Sequence, residues 1–478
     1  MATLVWLRDD LRLADNPALH YAAQHGALAV VYLRDEESAG FRPLGGATRW
    51  WLHHSLTAFG KSLVERGLPL LLRSGPAEQV IPELAAELGV DTVVWNRRYG
   101  GPERAVDSGL KRSLRETGVH AESFAANLLF EPWTIRTGAD EHYKVFTPFW
   151  RACQESTDPR QALPEPDELT PLKAAQTKGL QAEELDNWGL LPQRPDWSTG
   201  LAETWTPGEV GAKHALRDFL SDEGYAEGRD YPALPATSML SPHLRFGELS
   251  PFQIWQALGG RHDLSSADEQ RFRAELCWRE FCWHLLYHHP DLATENYRRE
   301  FDRFEWAEAR GPEGRPGPEL RAWQRGATGY PLVDAGMREL WRTGWMHNRV
   351  RMAAASFLAK NLLIDWREGE RWFWDTLVDA DAANNPANWQ WVAGSGADAS
   401  PYFRIFNPVT QSKKFDRDGR YLRRYLPELA ELSNKQIHEP WKSGAKADYP
   451  EPLIDLKASR AEALERHARL KQDGQGSE

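Results

Sequence analysis

Glu275, Trp278, Arg279 and Cys282 recur at i, i+3, i+4 and i+7, which on a helix sets them along one face. An indole there is a platform for a base or another flat ring, and a neighbouring carboxyl can hydrogen-bond a base edge. A Glu–Arg surface pair beside a core tryptophan is the plainer alternative. A second run, Gly344-Trp-Met-His-Asn348-Arg349-Val-Arg351-Met352, groups Asn348, Arg351 and Met352 at i, i+3 and i+4. Asparagine can read a base bidentately and Arg349, on another face, can meet a phosphate. Asn348 can equally be an N-cap and Met352 a gap-filler.

A third group, Asp379-Ala-Asp381-Ala-Ala-Asn-Asn385-Pro386-Ala-Asn-Trp389-Gln-Trp391, offers two acids two residues apart. A divalent metal needs more clustered oxygen partners than this. One acid pairing with a buried arginine while the other accepts from a flavin ring or ribose is the alternative. Asn385, placed before a proline, also reads as an N-cap. The stretch Tyr225-Ala-Glu-Gly-Arg229, followed by Thr237-Ser238-Met-Leu-Ser241-Pro, puts hydroxyls and backbone donors at a helix start, which suits a phosphate or simple capping. Eleven of the 22 tryptophans fall between Trp278 and Trp391. Indole is easily oxidised by one electron, so this density among acids, amides and arginines points to redox chemistry on an aromatic cofactor, to base binding, or to both.

The elements that position these groups divide the chain in two. Apolar runs Leu4–Leu7, Leu28–Leu33, Pro69–Leu72 and Thr92–Trp95 alternate with amphipathic stretches Ala47–Arg66, Ala77–Leu88 and Glu103–Thr117. That alternation predicts a parallel α/β sheet with a fifth strand near Glu122–Leu129. No Gly-x-Gly-x-x-Gly follows the first strand, so the dinucleotide fingerprint is missing. Residues from about 150 to 210, rich in Pro, Glu and Asp, read as an inter-domain linker. Beyond Gly211 the pattern is helical, with segments Ala267–His289, Val333–Thr343, Asn348–Leu363 and Ala458–Lys471, and a surface loop at Gly311–Pro318.

At 478 residues the chain exceeds one ordinary core, and 41% hydrophobic with 27% charged residues fits a globular protein. The start lacks a secretory signal, and three cysteines without metal-ligand spacing suit a reducing cytoplasm. Net charge is −11, a weak argument against nucleic acid, yet Met337–Arg424 holds 14 Lys and Arg against 10 Asp and Glu. Charge alone therefore decides nothing.

Together the motifs resemble the DNA photolyase/cryptochrome family over nearly the whole chain, closest to bacterial cyclobutane pyrimidine dimer photolyases. Trp6-Leu-Arg8-Asp-Asp-Leu-Arg12-Leu-Ala-Asp15-Asn16-Pro17 looks like the family's opening. Thr237-Ser238, Trp278-Arg279-Glu280-Phe281, Gly344-Trp-Met-His-Asn348-Arg349, Asp365-Trp366-Arg-Glu-Gly-Glu and Tyr402-Phe-Arg404-Ile-Phe-Asn-Pro follow in its order. The resemblance implies a Rossmann-like α/β antenna domain (2–134), a linker (135–210) and an all-helical FAD- and DNA-binding domain (211–472).

The same resemblance implies roles. Tyr225, Thr237, Ser238, Met239, Leu240 and Ser241 would hold the FAD phosphates, and Phe272, Arg279, Asn348 and Ala380 would also line the cofactor. Arg351 would pair with Asp379, Asp381 would meet the flavin ring and Asn385 its N5. Trp389, Trp366 and Trp306 match the tryptophan chain that reduces photoexcited flavin. Trp278 and Trp391 would wedge a flipped dimer contacted by Glu275, Asn348 and Met352, with Arg229, Arg349 and Arg404 near the DNA backbone.

Enzymes for (6-4) photoproducts carry a histidine pair where this chain has Asn348 and Met352, which favours cyclobutane dimers. Glu275, in an apolar pocket, would hydrogen-bond the dimer. The implied reaction is dimer splitting by an electron from photoexcited reduced FAD; a cryptochrome photoreceptor is the alternative. The run Arg97-Arg98-Tyr99-Gly-Gly-Pro102 and the loop Phe41–Thr48 depart from the folate-binding enterobacterial type. The antenna is thus open among folate, deazaflavin, a second flavin or none. A cytoplasmic monomer acting on UV-damaged DNA, nucleoid-associated when bound to it, is expected.

Overall fold

A computed structural model describes every residue except 1, 178, 181, 222–223, 260–264, 400–402, 443–447 and 476–478. Tyr402 of the Tyr-Phe-Arg motif lies outside the described residues. The chain forms two compact units that interleave along the sequence. The first comprises residues 1–198, 202–223 and 238–290, the second 199–201, 224–237 and 291–478.

The first unit is built on a five-stranded parallel sheet in the order β3-β2-β1-β4-β5. Its strands are β1 (Ala2–Leu7), β2 (Ala27–Arg34), β3 (Leu70–Ser74), β4 (Thr92–Asn96) and β5 (His120–Phe124). β1, β2 and β4 are apolar on both faces because helices cover both, so Val5, Val30 and Val94 are fully buried. The covering helices are α1 (Pro17–Gln24), α2 (Gly46–Glu65), α3 (Ala77–Leu88) and α4 (Gly101–Glu116). The fifth strand is earlier than the expected Glu122–Leu129. It pairs residue for residue with β4, from Thr92↔His120 to Asn96↔Phe124, and β4 offers no partner beyond that point.

The opening motif is structural glue within this unit. Asn96 donates to Asp10 at 2.6 Å and to Asn16 at 2.8 Å, while Arg12 donates to the carbonyls of Ala126 and Gly247. The proline-rich stretch expected as a linker is anchored to the sheet: Leu28 N–H donates to Thr170 O at 2.8 Å and Leu172 joins the sheet core. It also contains a helix, α5 (Phe146–Glu155). The unit closes with the long α6 (Ser266–His288), started by Ser265, whose side chain accepts from Asp268 N–H at 3.1 Å.

The second unit has helices as its only regular elements among the described residues. The ones that matter for function are α7 (Pro331–Thr343), α8 (Asn348–Ser356), α9 (Trp366–Thr376), α10 (Asn384–Ala393) and α11 (Leu456–Gln475). Gly344 ends α7 at φ 68°, a left-handed conformation that costs glycine little. The expected helix Asn348–Leu363 changes character midway: α8 is followed by a π turn at Phe357–Asn361. Gly311–Pro318 is an exposed loop around a short 3-10 turn, as its composition suggests.

Candidate functional site

In the first unit, α6 turns Leu276, Cys277 and Phe281 inward and leaves Glu275, Trp278 and Arg279 half-buried. Trp278 stacks on Phe146 of α5 with ring centroids 3.6 Å apart and planes 10° apart, so one indole face is held rigidly. Glu275 does not sit in an apolar pocket. It is a quarter exposed and ion-paired with Arg271 one turn earlier at 3.4 Å. Arg279 instead donates to Asn127 O at 2.9 Å and to its neighbour Glu280 at 3.1 Å.

Glu280 is a residue that sequence patterning passed over. It is buried, accepts the N–H groups of Leu129 and Phe130 at 2.7 and 3.3 Å, and fastens α6 to the chain beyond β5. Burial pushes its carboxyl up to about 7, with Arg279 and the two N–H donors pulling the other way. Phe272 packs on Phe219 at 4.4 Å. In the expected phosphate loop, Met239 takes φ 53°, a left-handed backbone rarely adopted by a non-glycine residue, and Ser238 Oγ accepts from Leu240 N–H at 3.4 Å.

In the second unit, two helix starts are capped by groups other than the asparagines whose type suits a cap. The cap of α8 is His347, not Asn348: its Nδ1 accepts from Arg349 N–H at 3.1 Å. Asn348 is therefore released to an exposed first position, one turn before the half-buried Met352. At α10 the capping group is Asp381, whose Oδ1 accepts from Ala383 N–H at 2.8 Å and Asn384 N–H at 2.6 Å. Asn385 lies inside the helix and gives its amide to Glu370, to the carbonyl at 3.0 Å and Oε1 at 2.8 Å. A carboxylate three residues before a helix accepts its terminal N–H groups better than an amide already inside the first turn.

Arg351 and Asp379 form the expected pair at 2.8 Å, and Arg351 Nε also donates to Met346 O at 2.6 Å. Arg349 is held by Asp230 at 2.7 Å and lies over the Phe415 ring; Arg229 lies over Tyr225. His347 is buried, which pulls its imidazole down to about 4, and the backbone N–H of His347 donates to Glu339. Glu339, pushed up to about 7 by burial, also accepts from the hydroxyls of Tyr421 and Tyr425 at 2.7 and 3.1 Å. This network fixes the start of α8 and was not legible from spacing.

The three tryptophans run from core to surface: Trp389 and Trp366 are buried and Trp306 is half-buried. A bridge between Ala307 and Ile364 sets the Trp306 segment beside the start of α9, where Trp366 donates to Asn296 at 2.9 Å. One turn along α9, a Cβ on Gly369 would come within 2.1 Å of the Trp389 ring. Only glycine admits that contact. Trp391 donates to Asp398 O at 3.1 Å and stays half-buried.

The family model described as DNA photolyase matches residues 3–167, and that for the FAD binding domain of DNA photolyase matches residues 272–469. A deoxyribodipyrimidine photo-lyase of Agrobacterium fabrum is 51% identical, the alignment covering 98% of each chain. The chain belongs to the DNA photolyase family. The crystal structure of a bacterial class III photolyase from Agrobacterium tumefaciens superposes with a TM-score of 0.93 at 50% identity, covering 98% of both chains. An archaeal photolyase from Sulfolobus tokodaii, solved with two FAD molecules, superposes at 0.82 with 28% identity, covering 98% of this chain and all of that one.

The second unit's donor set fits the isoalloxazine of the FAD that this domain binds. Such a ring presents a donating N3–H and accepting carbonyl oxygens. Arg351 supplies N–H groups, Asp379 and Asp381 supply carboxylate oxygens, and Asn385, with its amide nitrogen given to Glu370, has its oxygen left as an acceptor. No helix among the described residues is long and apolar enough to cross a membrane.

Proposed function

We propose that this chain is a deoxyribodipyrimidine photolyase that splits cyclobutane pyrimidine dimers in UV-damaged DNA under near-UV or blue light. The observation that carries the reading is the start of α8. With His347 taking the capping role, Asn348 is exposed and Met352 follows it one turn later, so a base-reading amide and a soft apolar contact share one face. Trp278, braced by Phe146, and Trp391, tethered to Asp398, supply half-exposed indoles for a flipped dimer.

Bound reduced FAD would supply the light-driven one-electron chemistry that opens the cyclobutane ring. The residues of this chain orient and tune. Asp379 with Arg351, and Asp381, hold the ring; Asn385 presents an acceptor suited to a ring nitrogen that carries a proton. Tyr225 and the Thr237–Ser241 loop take the phosphate region, and Arg279, Phe272 and Ala380 line the remainder. Trp389, Trp366 and Trp306 return the cofactor to its reduced state, and their rise from core to surface suits delivery of electrons from solvent.

Glu275 is ion-paired with Arg271, and its contact with the lesion requires that pair to open. Arg229, Arg349 and Arg404 take the DNA backbone, with Arg349 exchanging Asp230 for phosphate. The protein acts as a monomer, and the antenna domain, linker and catalytic domain follow 2–134, 135–210 and 211–472. The test is light-dependent restoration of a thymine-dimer oligonucleotide by the reduced holoprotein; a protein that photoreduces its FAD without any repair would instead be a photoreceptor.

A further inference from the structure

Beside Trp391 the second unit holds a small, open pocket whose titratable lining is all basic: Arg298, Lys360, Arg404, His467 and Lys471. Aromatic rings of Trp391, Phe403 and Phe406 complete it. Its floor is built. The π turn at Phe357–Asn361 carries Lys360, which is only 2% exposed and, among the described residues, has no carboxylate on its amine. Lys360 Nζ donates to Arg404 O at 2.7 Å and lies 3.9 Å from the centre of the Phe403 ring, whose plane is covered by His467 at 4.3 Å. Single π turns inside helices are kept mostly where function requires the offset.

Glu300 pairs with Arg298, and no carboxylate is among the described residues that line the pocket. Burial and the neighbouring cations work against charge here, lowering Lys360 to about 7 and His467 to about 4. The Lys360 amine, bonded to a neutral carbonyl and resting against an aromatic ring, would gain a countercharge from an anion in the pocket.

We propose that this pocket binds the phosphate of a nucleotide, with Lys360 and Lys471 as its principal anchors and the Trp391–Phe406 pair against the adjoining base or sugar. The proposal rests on the repair reading for one of two sources, a backbone phosphate of the bound DNA; a free nucleotide is the other. It extends the DNA footprint from Arg404 to the π turn and to α11, which no spacing argument touched.

The test titrates the full-length, FAD-loaded protein with thymidine 5′-monophosphate and, separately, with a thymine-dimer oligonucleotide across a salt series. Lys360→Met and Lys471→Ala are compared with the parent, flavin absorbance serving as the folding control; Lys471 is exposed, so its replacement leaves packing intact. The expected result is saturable monophosphate binding weakened about tenfold by Lys360→Met, and an oligonucleotide salt slope about one unit shallower in each variant. Monophosphate binding that falls while oligonucleotide affinity holds assigns the pocket to a free nucleotide. A parent protein that ignores the dimer oligonucleotide refutes the repair reading, and the pocket is then judged on the monophosphate titration alone. Absence of monophosphate binding together with unchanged oligonucleotide affinity in both variants overturns the proposal.

Discussion

Gly369 and Trp389 are in such close apposition that a single added carbon on the glycine would lie 2.1 Å from the indole. The helix that begins with Trp366 thereby takes the next tryptophan directly against its backbone. Gly369→Ala is expected to push the ring or the helix aside, destabilising the protein by about 1–3 kcal/mol, as overpacking does. It is also expected to slow flavin photoreduction. Thermal unfolding and the rate of light-driven flavin reduction check both; an unchanged rate at lowered stability would remove Trp389 from the electron route.

Trp306→Phe separates the electron route from repair. The residue is half-buried at the outer end of the series, against Phe304 at 4.5 Å, and phenylalanine keeps that contact. Photoreduction should become slow, whereas chemically reduced enzyme should repair dimers at the parent rate. Loss of repair under those conditions would contradict the assigned role.

Trp278→Ala should weaken dimer binding by about 1–3 kcal/mol, the worth of one base–aromatic stack. Because Phe146 braces the indole, Phe146→Ala should produce a smaller loss in the same direction. Equilibrium binding of a dimer-containing oligonucleotide measures both, and equal affinity in parent and Trp278→Ala would take this residue out of the lesion pocket.

The buried carboxyl of Glu280 predicts a pH dependence. Its folded-state value is raised to about 7, from an ordinary 4.5, mainly by burial. Between those values the folded protein holds a proton that the unfolded chain releases, so this group's contribution is complete below about 4.5 and is lost as pH rises toward and through 7. Glu280→Gln keeps an oxygen for the N–H groups of Leu129 and Phe130 and removes the titration. The difference in denaturant stability between parent and variant should therefore shift in the variant's favour from pH 5 to pH 8. A constant difference would show that Glu280 does not titrate in this range.

The sheet was legible because its runs are simple: Val- and Leu-rich strands separated by amphipathic helices admit few other arrangements, and four of the five strands fall where hydrophobicity puts them. β5 was misplaced because its end is set by the length of β4, a partner no local pattern reveals. The proline-rich stretch read as a linker because burial of Leu172 depends on a long-range contact with β2. At the site, residue types and order carried the family, and the Arg351–Asp379 pair followed from it. The division of labour at helix starts did not: Asn348 and Asn385 are both good caps by type, yet His347 and Asp381 hold those roles. Which polar group wins depends on backbone geometry at one residue, and that decision leaves Asn348 exposed and Asn385 bound to Glu370.

The central claim is tested most directly by incubating the purified, reduced holoprotein with a thymine-dimer oligonucleotide under near-UV/blue light and in the dark. Restoration of intact thymines in the light alone is the predicted result. Absence of repair by protein whose FAD is bound and photoreducible would contradict the assignment and make the chain a light sensor instead.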